Sequence, residues 1–299
     1  MIIPSKEMVI VGLGEILWDI LPTGKALGGA PANFAYHAHA LGAVAWVVSA
    51  VGSDRSGHEI LERLNLMGIH PDFVGEDSHH PTGSVSVQVD GQGIPSYIIH
   101  ENVAWDHISY EPGMDSLAAT ADAVCFGSLG QRSPVSRTTI QRFLAATGPS
   151  CKRILDINLR QHFYTREIIG QSLELSNILK LNEDELPVLA EMCSLHGNVQ
   201  DQLSQLLRQY RLELIALTRG GRGAILQTPY ETADCPGFPA VAADTVGAGD
   251  AFTAAMAIGL LSKRPLMRIN RQACQVAAFV CSQHGATPTI PANLVAEFH

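Results

Sequence analysis

Short runs of consecutive apolar residues, each followed by a stretch with apolar positions at helical spacing, set the rhythm of this chain. "MVIVGLG", "AVAWVVSAVG", "AVCFGSLG", "RILDINL", "NILKLN" and "LIALTRGG" are β-rich and apolar on successive rather than alternate positions. Such runs suit strands covered on both faces. Strands alternating with helices predict βαβ units, and so an α/β fold with a doubly wound, mostly parallel sheet flanked by helices.

Two stretches break the rhythm. "EILWDILPTGKAL" and "TGSVSVQVDGQGIPSYIIHENVAW" read as strands without intervening helices, and "DGQG" between alternating Val and Tyr/Ile runs is a hairpin signal. Segments of about 15–28 and 81–106 therefore predict a small separate sheet. Inserted into an α/β domain, it would lie over the carboxyl ends of the main strands as a lid, where ligands of open sheets bind. No internal repeat or low-complexity tract is seen.

Composition narrows the functional classes. The chain has 299 residues, 46% of them hydrophobic, enough for a sizeable core in one or two domains. A net charge of −9 without a dense Lys/Arg run argues against nucleic acid or an anionic membrane as the main partner. Six cysteines without a C-x-x-C pair fit reduced thiols in a cytoplasmic protein. The N-terminus lacks the basic region and cleavage site of a signal peptide, and no apolar run approaches the roughly 20 residues of a membrane helix.

Several weak motifs drop out. In "GLGEIL" the third glycine of a dinucleotide fingerprint would fall at Leu17, there is no P-loop, and "CFGSLG" is not a nucleophile elbow. His79 and His80 sit in a polar loop segment better read as solvated than as a metal site.

"DTVGAGDAF" carries more. After the β-like "VAADT", Gly247, Ala248 and Gly249 form a turn, and Ala251, Phe252, Ala255, Met256, Gly259 and Leu260 then recur at helical spacing. The small residues open a helix whose unpaired N–H groups and partial positive charge make an anion hole. Asp250 would lie on the first turn. Taken alone it is either a favourable charge at the helix start or a base that accepts a proton from an attacking hydroxyl.

"DTVGAGDAFTAAMAIGL" resembles the C-terminal signature of the ribokinase-type (PfkB) sugar kinases, and "GGAPANFAYHAHALG" followed by Gly52 resembles their N-terminal signature in spacing and composition. The likeness extends through "LNEDE", "LTRGGRG" and "HGATPTIP", so it spans essentially the whole chain. It implies a single ribokinase-like domain over 1–299 with a β-sheet lid, an ATP-dependent sugar kinase, and Asp250 as the base beside the Gly247-Ala248-Gly249 anion hole. With an ordinary carboxyl pKa near 4, Asp250 would take the proton late in the reaction.

The remaining site residues follow from the same resemblance. Gly28, Gly29, Asn33 and Asp19 are implied as sugar contacts; Asn33 offers donor and acceptor, and Asp19 can accept two hydroxyl protons. Asn182 and Glu185, three apart, are implied at the nucleotide phosphates, Glu185 holding Mg²⁺ through water. Thr218, Gly220, Gly223 and Gly285 are implied around the nucleotide, and Asp244 and Thr245 beside a K⁺-like ion bound by backbone carbonyls. "ENVAWDHI", "GSLGQRSP" and "DINLR" look more like the fructokinase branch, with Gln131 and Arg160 near the sugar. The ribokinase pattern has a glutamate at about the position of Gln131, which points away from ribose. Ketodeoxygluconate, ribose and nucleoside kinases, and a catalytically silent sugar-binding protein, are the alternatives. Exposed lid edges would allow a homodimer through the lid.

Overall fold

The computed structural model describes residues 7–21, 24–89 and 95–298. The chain begins with β1 (Val9–Leu13), β2 (Leu17–Leu21), β3 (Gly24–Gly28), α1 (Ala30–Ala40), β4 (Val44–Gly52), α2 (Arg55–Leu66), β5 (His70–Asp77), β6 (Ser84–Val89) and β7 (Pro95–Ile99). Its middle holds α3 (Met114–Thr120), β8 (Ala123–Gly127), α4 (Pro134–Ala145), β9 (Lys152–Asp156), α5 (Arg166–Leu175), β10 (Ile178–Asn182), α6 (Glu185–Cys193) and α7 (Val199–Tyr210). β11 (Leu214–Thr218), β12 (Ala224–Gln227), β13 (Thr232–Cys235), α8 (Ala248–Leu261), α9 (Leu266–Cys281) and α10 (Ala292–Ala296) complete it.

The six apolar runs became β1, β4, β8, β9, β10 and β11, neighbours in one nine-stranded sheet of order β13-β12-β11-β10-β9-β8-β1-β4-β5. Pairing is parallel from β5 across to β11, and β12 and β13 close that edge antiparallel. Unbroken apolar strands are explained by cores on both faces. Val11, Leu13, Val124, Phe126, Leu179 and Leu181 pack toward one. Their neighbours Ile10, Ala123, Cys125 and Ile178 pack toward the other, with α8 and α9. α8 is buried without a break from Ala251 to Gly259. Gly259 lets α9 come close, since a Cβ there would stand 3.0 Å from Ile269 Cγ1.

β5 escaped the pattern because it is a half-exposed edge strand with polar ends. "VAADT" is not a strand: residues 241–245 form a loop on which Val241 is 90% exposed, so β-propensity there met no partner strand.

The predicted lid is a four-stranded sheet of order β3-β2-β6-β7. It is antiparallel except for the parallel β2–β6 pair, the two segments being joined side by side. The "DGQG" turn lies outside the described residues, between β6 and β7. Among the ties that hold the sheet to the body, Lys25 of β3 pairs with Glu59 of α2, and Trp18 Nε1 donates to Ser56 O at 3.0 Å. Asp54, which caps α2 through Gly57 N, also accepts Thr82 N at 2.9 Å and Thr82 Oγ1 at 2.7 Å.

From β1 the chain goes to β4 and β5 on one side, and returns through β8 on the other. Strand order therefore reverses between β1 and β8, and a crevice opens beyond their carboxyl ends. All six cysteines are free thiols. Among the described residues no helix is long and apolar enough to cross a membrane.

Candidate active site

Three elements meet at the crevice. β3 runs into α1 through Gly28 and Gly29. A Cβ on Gly28 would lie 2.2 Å from Asp19 Oδ2, so the glycine makes room for the carboxylate of the adjacent strand. Gly29 has φ 108 and sits directly on Glu15 O, a backbone shape and approach that glycine alone permits. α1 starts there, with Pro31 in its first turn. Asn33 follows, 4% exposed.

The opposing element is the turn into α8. Gly247 takes φ 79 at the N-cap, with no side chain capping the helix. Its role is more specific than clearing space for a ligand: a Cβ on Gly247 would strike Ala286 O at 2.4 Å, and one on Gly249 would meet Lys180 Nζ at 3.0 Å. Ala248 N–H already bonds Thr245 O at 3.4 Å. By helix geometry, the N–H groups of Gly249 and Asp250 are the ones without partners inside α8.

Asn33 Nδ2 donates to Asp250 Oδ2 at 2.8 Å, joining two signatures 217 positions apart. Asn33 Oδ1 is buried without a hydrogen-bond partner. The Asp250 carboxyl is not ordinary. Burial, and next the charge of Asp156, push it up to about 6, against the pull of Asn33, Lys180 and Arg160. It is a better base than its sequence suggested.

Beneath the turn lies a buried ionic network built on β9 and β10. Lys180 Nζ, 7% exposed as a residue, reaches Asp156 Oδ1 at 3.0 Å. Thr253 Oγ1 donates to Gly249 O at 2.9 Å and lies 3.3 Å from Asp156 Oδ2. Burial alone would lower the Lys180 pKa, but Asp156, Glu185 and Asp250 hold it above the usual lysine value, so it is a fixed cation below Gly249. Glu15, 2% exposed, is raised to about 7 by burial and, more weakly, by Asp250. A lysine inside the apolar "NILKLN" was the legible signal, because a charge on a buried strand needs a partner.

The other expected residues are distributed as follows. Asp19, half-buried beside Gly28, is raised to about 6 by burial and by Asp244. Arg160 is exposed, and its charge acts on both Glu15 and Asp250. Asn182 Oδ1 accepts the N–H groups of Asp184 and Glu185, while Glu185 returns Oε2 to Asn182 N at 2.8 Å and Oε1 to Leu159 N at 3.0 Å. The pair thus starts α6, and burial raises Glu185. Thr218, level with Asn182 across β10–β11, bonds Leu181 O. Gly223 gives way to Cys235 O and so is shaped by packing, whereas Gly220 and Gly285 face open space. Asp244 accepts Val246 N and Gly285 N, which ties the turn to the "HGATPT" loop beside exposed Thr245.

Gln131 is corrected. It is fully buried, and its Nε2 donates to Gly127 O at 2.9 Å and Ser172 Oγ at 2.8 Å, locking the turn after β8 to α5. Its Nε2 is committed to two interior acceptors and its unpartnered Oε1 is shut inside with it, so the amide is not placed to read a sugar. The inference against ribose drawn from this position loses its basis.

A helix start carrying a carboxylate, at the crevice of a ribokinase-like sheet with a small β-sheet beside it, defines the class as a small-molecule kinase fold. The profile of the "pfkB family carbohydrate kinase" matches residues 22–293, and the chain belongs to that family. It is similar to a fructokinase of Escherichia coli, 26% identical over 306 residues that cover 93% of this chain and 95% of that one. A second relative is fructokinase-2 of Oryza sativa subsp. japonica, 25% identical, covering 98% and 94%. Among solved structures, an uncharacterized sugar kinase from Pyrococcus horikoshii in complex with ATP superposes with a TM-score of 0.79 at 25% identity, over 98% of this chain and 100% of that one. Fructokinase from Vibrio cholerae O395 shares the fold, with a TM-score of 0.82 at 20% identity over 98% and 99%. The chain is a carbohydrate kinase of that family.

Proposed function

We propose that the protein transfers the γ-phosphoryl group of ATP to a primary hydroxyl of fructose. In this reading Asp250 is the base, and the N–H groups at the start of α8 stabilise the transferring group. The observation that carries it is the 2.8 Å bond from Asn33 to Asp250, which sets the base against a residue whose amide oxygen has no other partner. The base orients and deprotonates the hydroxyl while preorganised donors meet the developing charge. Lys180, fixed 3.0 Å from a virtual Cβ of Gly249, adds positive charge below them.

Asp19, Gly28, Asn33 and Arg160 would face the sugar; Thr218, Gly220, Gly223 and Gly285 line the loops on the nucleotide side. Glu185 fits contact with Mg²⁺ through water, because each of its oxygens already accepts one backbone N–H and retains a lone pair. The ion would neutralise phosphate charge there. Asp244 joins two loops whose carbonyls suit a K⁺-like ion near Thr245.

Fructose is favoured by the fructokinases among the relatives. An ADP-release assay with MgATP across fructose, other hexoses, ribose, ketodeoxygluconate and nucleosides, with and without potassium, tests it. Fructose is expected to give the highest kcat/KM. A higher value for another substrate overturns the sugar assignment, and sugar binding without ADP release from any of them overturns catalysis.

A further inference from the structure

We propose that His37 is a positioning residue for phosphoryl transfer: from inside α1 it holds the Ala286 carbonyl against Gly247 and so fixes the turn that opens α8. The proposal rests on the reading of that turn as the anion hole.

α1 spans the gap between the two halves of the site. Asn33, Tyr36 and His37 share one face of it at i, i+3 and i+4. Asn33 holds Asp250; Tyr36 Oη donates to Pro288 O at 3.2 Å, and His37 Nε2 lies 2.9 Å from Ala286 O. His37 is fully buried, and burial lowers its pKa to about 4, so the ring is neutral. A carbonyl only accepts, which places the hydrogen on Nε2. Nδ1 is then left buried without a partner. For packing alone an aliphatic side chain would serve better, because it would strand no polar atom.

The bond matters because of what Ala286 touches. Its O, Cα and C stand 2.4, 2.7 and 2.9 Å from the site of a Cβ on Gly247, so carbonyl and turn are in direct contact. Gly247 is the N-cap from which the N–H groups of Gly249 and Asp250 project. A second tie, Asp244 to Gly285 N at 3.2 Å, is half-open to solvent. The bonds from Ala243 N and Asp244 N to Cys281 O also lie on exposed or half-exposed chain, whereas the His37 bond is buried.

His37→Leu and His37→Gln separate positioning from packing, since the Gln amide can extend an N–H to Ala286 O and Leu cannot. For His37→Leu we expect the KM for ATP to rise about 10-fold and kcat to fall about 10-fold, with the sugar KM within about 2-fold. Amide exchange should quicken at 243–250 and 283–289, and His37→Gln should recover most of both effects. If His37→Leu does not fold, His37→Asn replaces it, its amide being too short to reach. Unchanged ATP KM and exchange in the variant that lacks the bond, or His37→Gln no better than that variant, overturns the proposal. A wild-type protein that turns over no sugar would overturn the kinase reading instead; the exchange comparison still decides whether His37 fixes the turn.

Discussion

At the scale of single residues, Asp250 is a carboxylate held where a charge is unfavourable. Its pKa of about 6 stands above the ordinary 3.8, chiefly through burial. Between these values the folded state binds more protons than the unfolded one, so stability falls as pH rises through that window. At higher pH the buried charge remains as a standing cost. Asp250→Asn removes it: the variant should melt a few degrees higher than wild type at pH 8, while kcat drops by roughly 10² or more and sugar and ATP binding stay within about 10-fold. Calorimetry and steady-state kinetics check the two halves, and near-normal turnover would sink the base assignment. The deprotonated base is needed, so kcat/KM should fall below about pH 6. Asp19 is also raised to about 6, so the acid limb should be steeper than a single ionisation, and Asp19→Asn should flatten it.

At the scale of elements, the turn into α8 shows how glycines do different jobs within three residues. Gly247 provides a left-handed φ of 79 and clears Ala286; Gly249 clears Lys180. Gly247→Ala must adopt a conformation that disfavours an L-residue by ~1–2 kcal/mol, and it must also displace a backbone carbonyl. Its urea midpoint should therefore fall, with a raised KM for ATP, whereas a midpoint equal to wild type would mean that the turn relaxes freely. The helix itself was legible from its apolar spacing, and so were the six central strands, because consecutive apolar residues have few other uses in a chain this polar at its turns. β5 was not, since an edge strand buries too little to need a pattern. The Lys180–Asp156 pair lay inside two quoted strands, but a salt bridge between neighbouring strands depends on register, which is a property of the folded sheet.

At the scale of the molecule, the small sheet stands on ties at Trp18 and Asp54, with Ile20 43% exposed and Leu21 36%. Sugar bound between Asp19 and Asp250 would gain from exclusion of water, so fructose should slow amide exchange in β2 and β6 and reduce the radius of gyration. Scattering and exchange curves that do not move with the correct sugar would count against closure. The sequence by itself determined the α/β class, the small two-segment sheet, the helix start at Gly247 and the family, since local periodicity and contiguous motifs carry those. Tertiary structure alone decided that Asn33 grips Asp250, that Lys180 sits under the turn, that Asp250 titrates near 6 and that Gln131 faces inward. Those facts depend on distances between residues remote in the chain and on how much water is excluded around them, and neither quantity exists before the sheet closes.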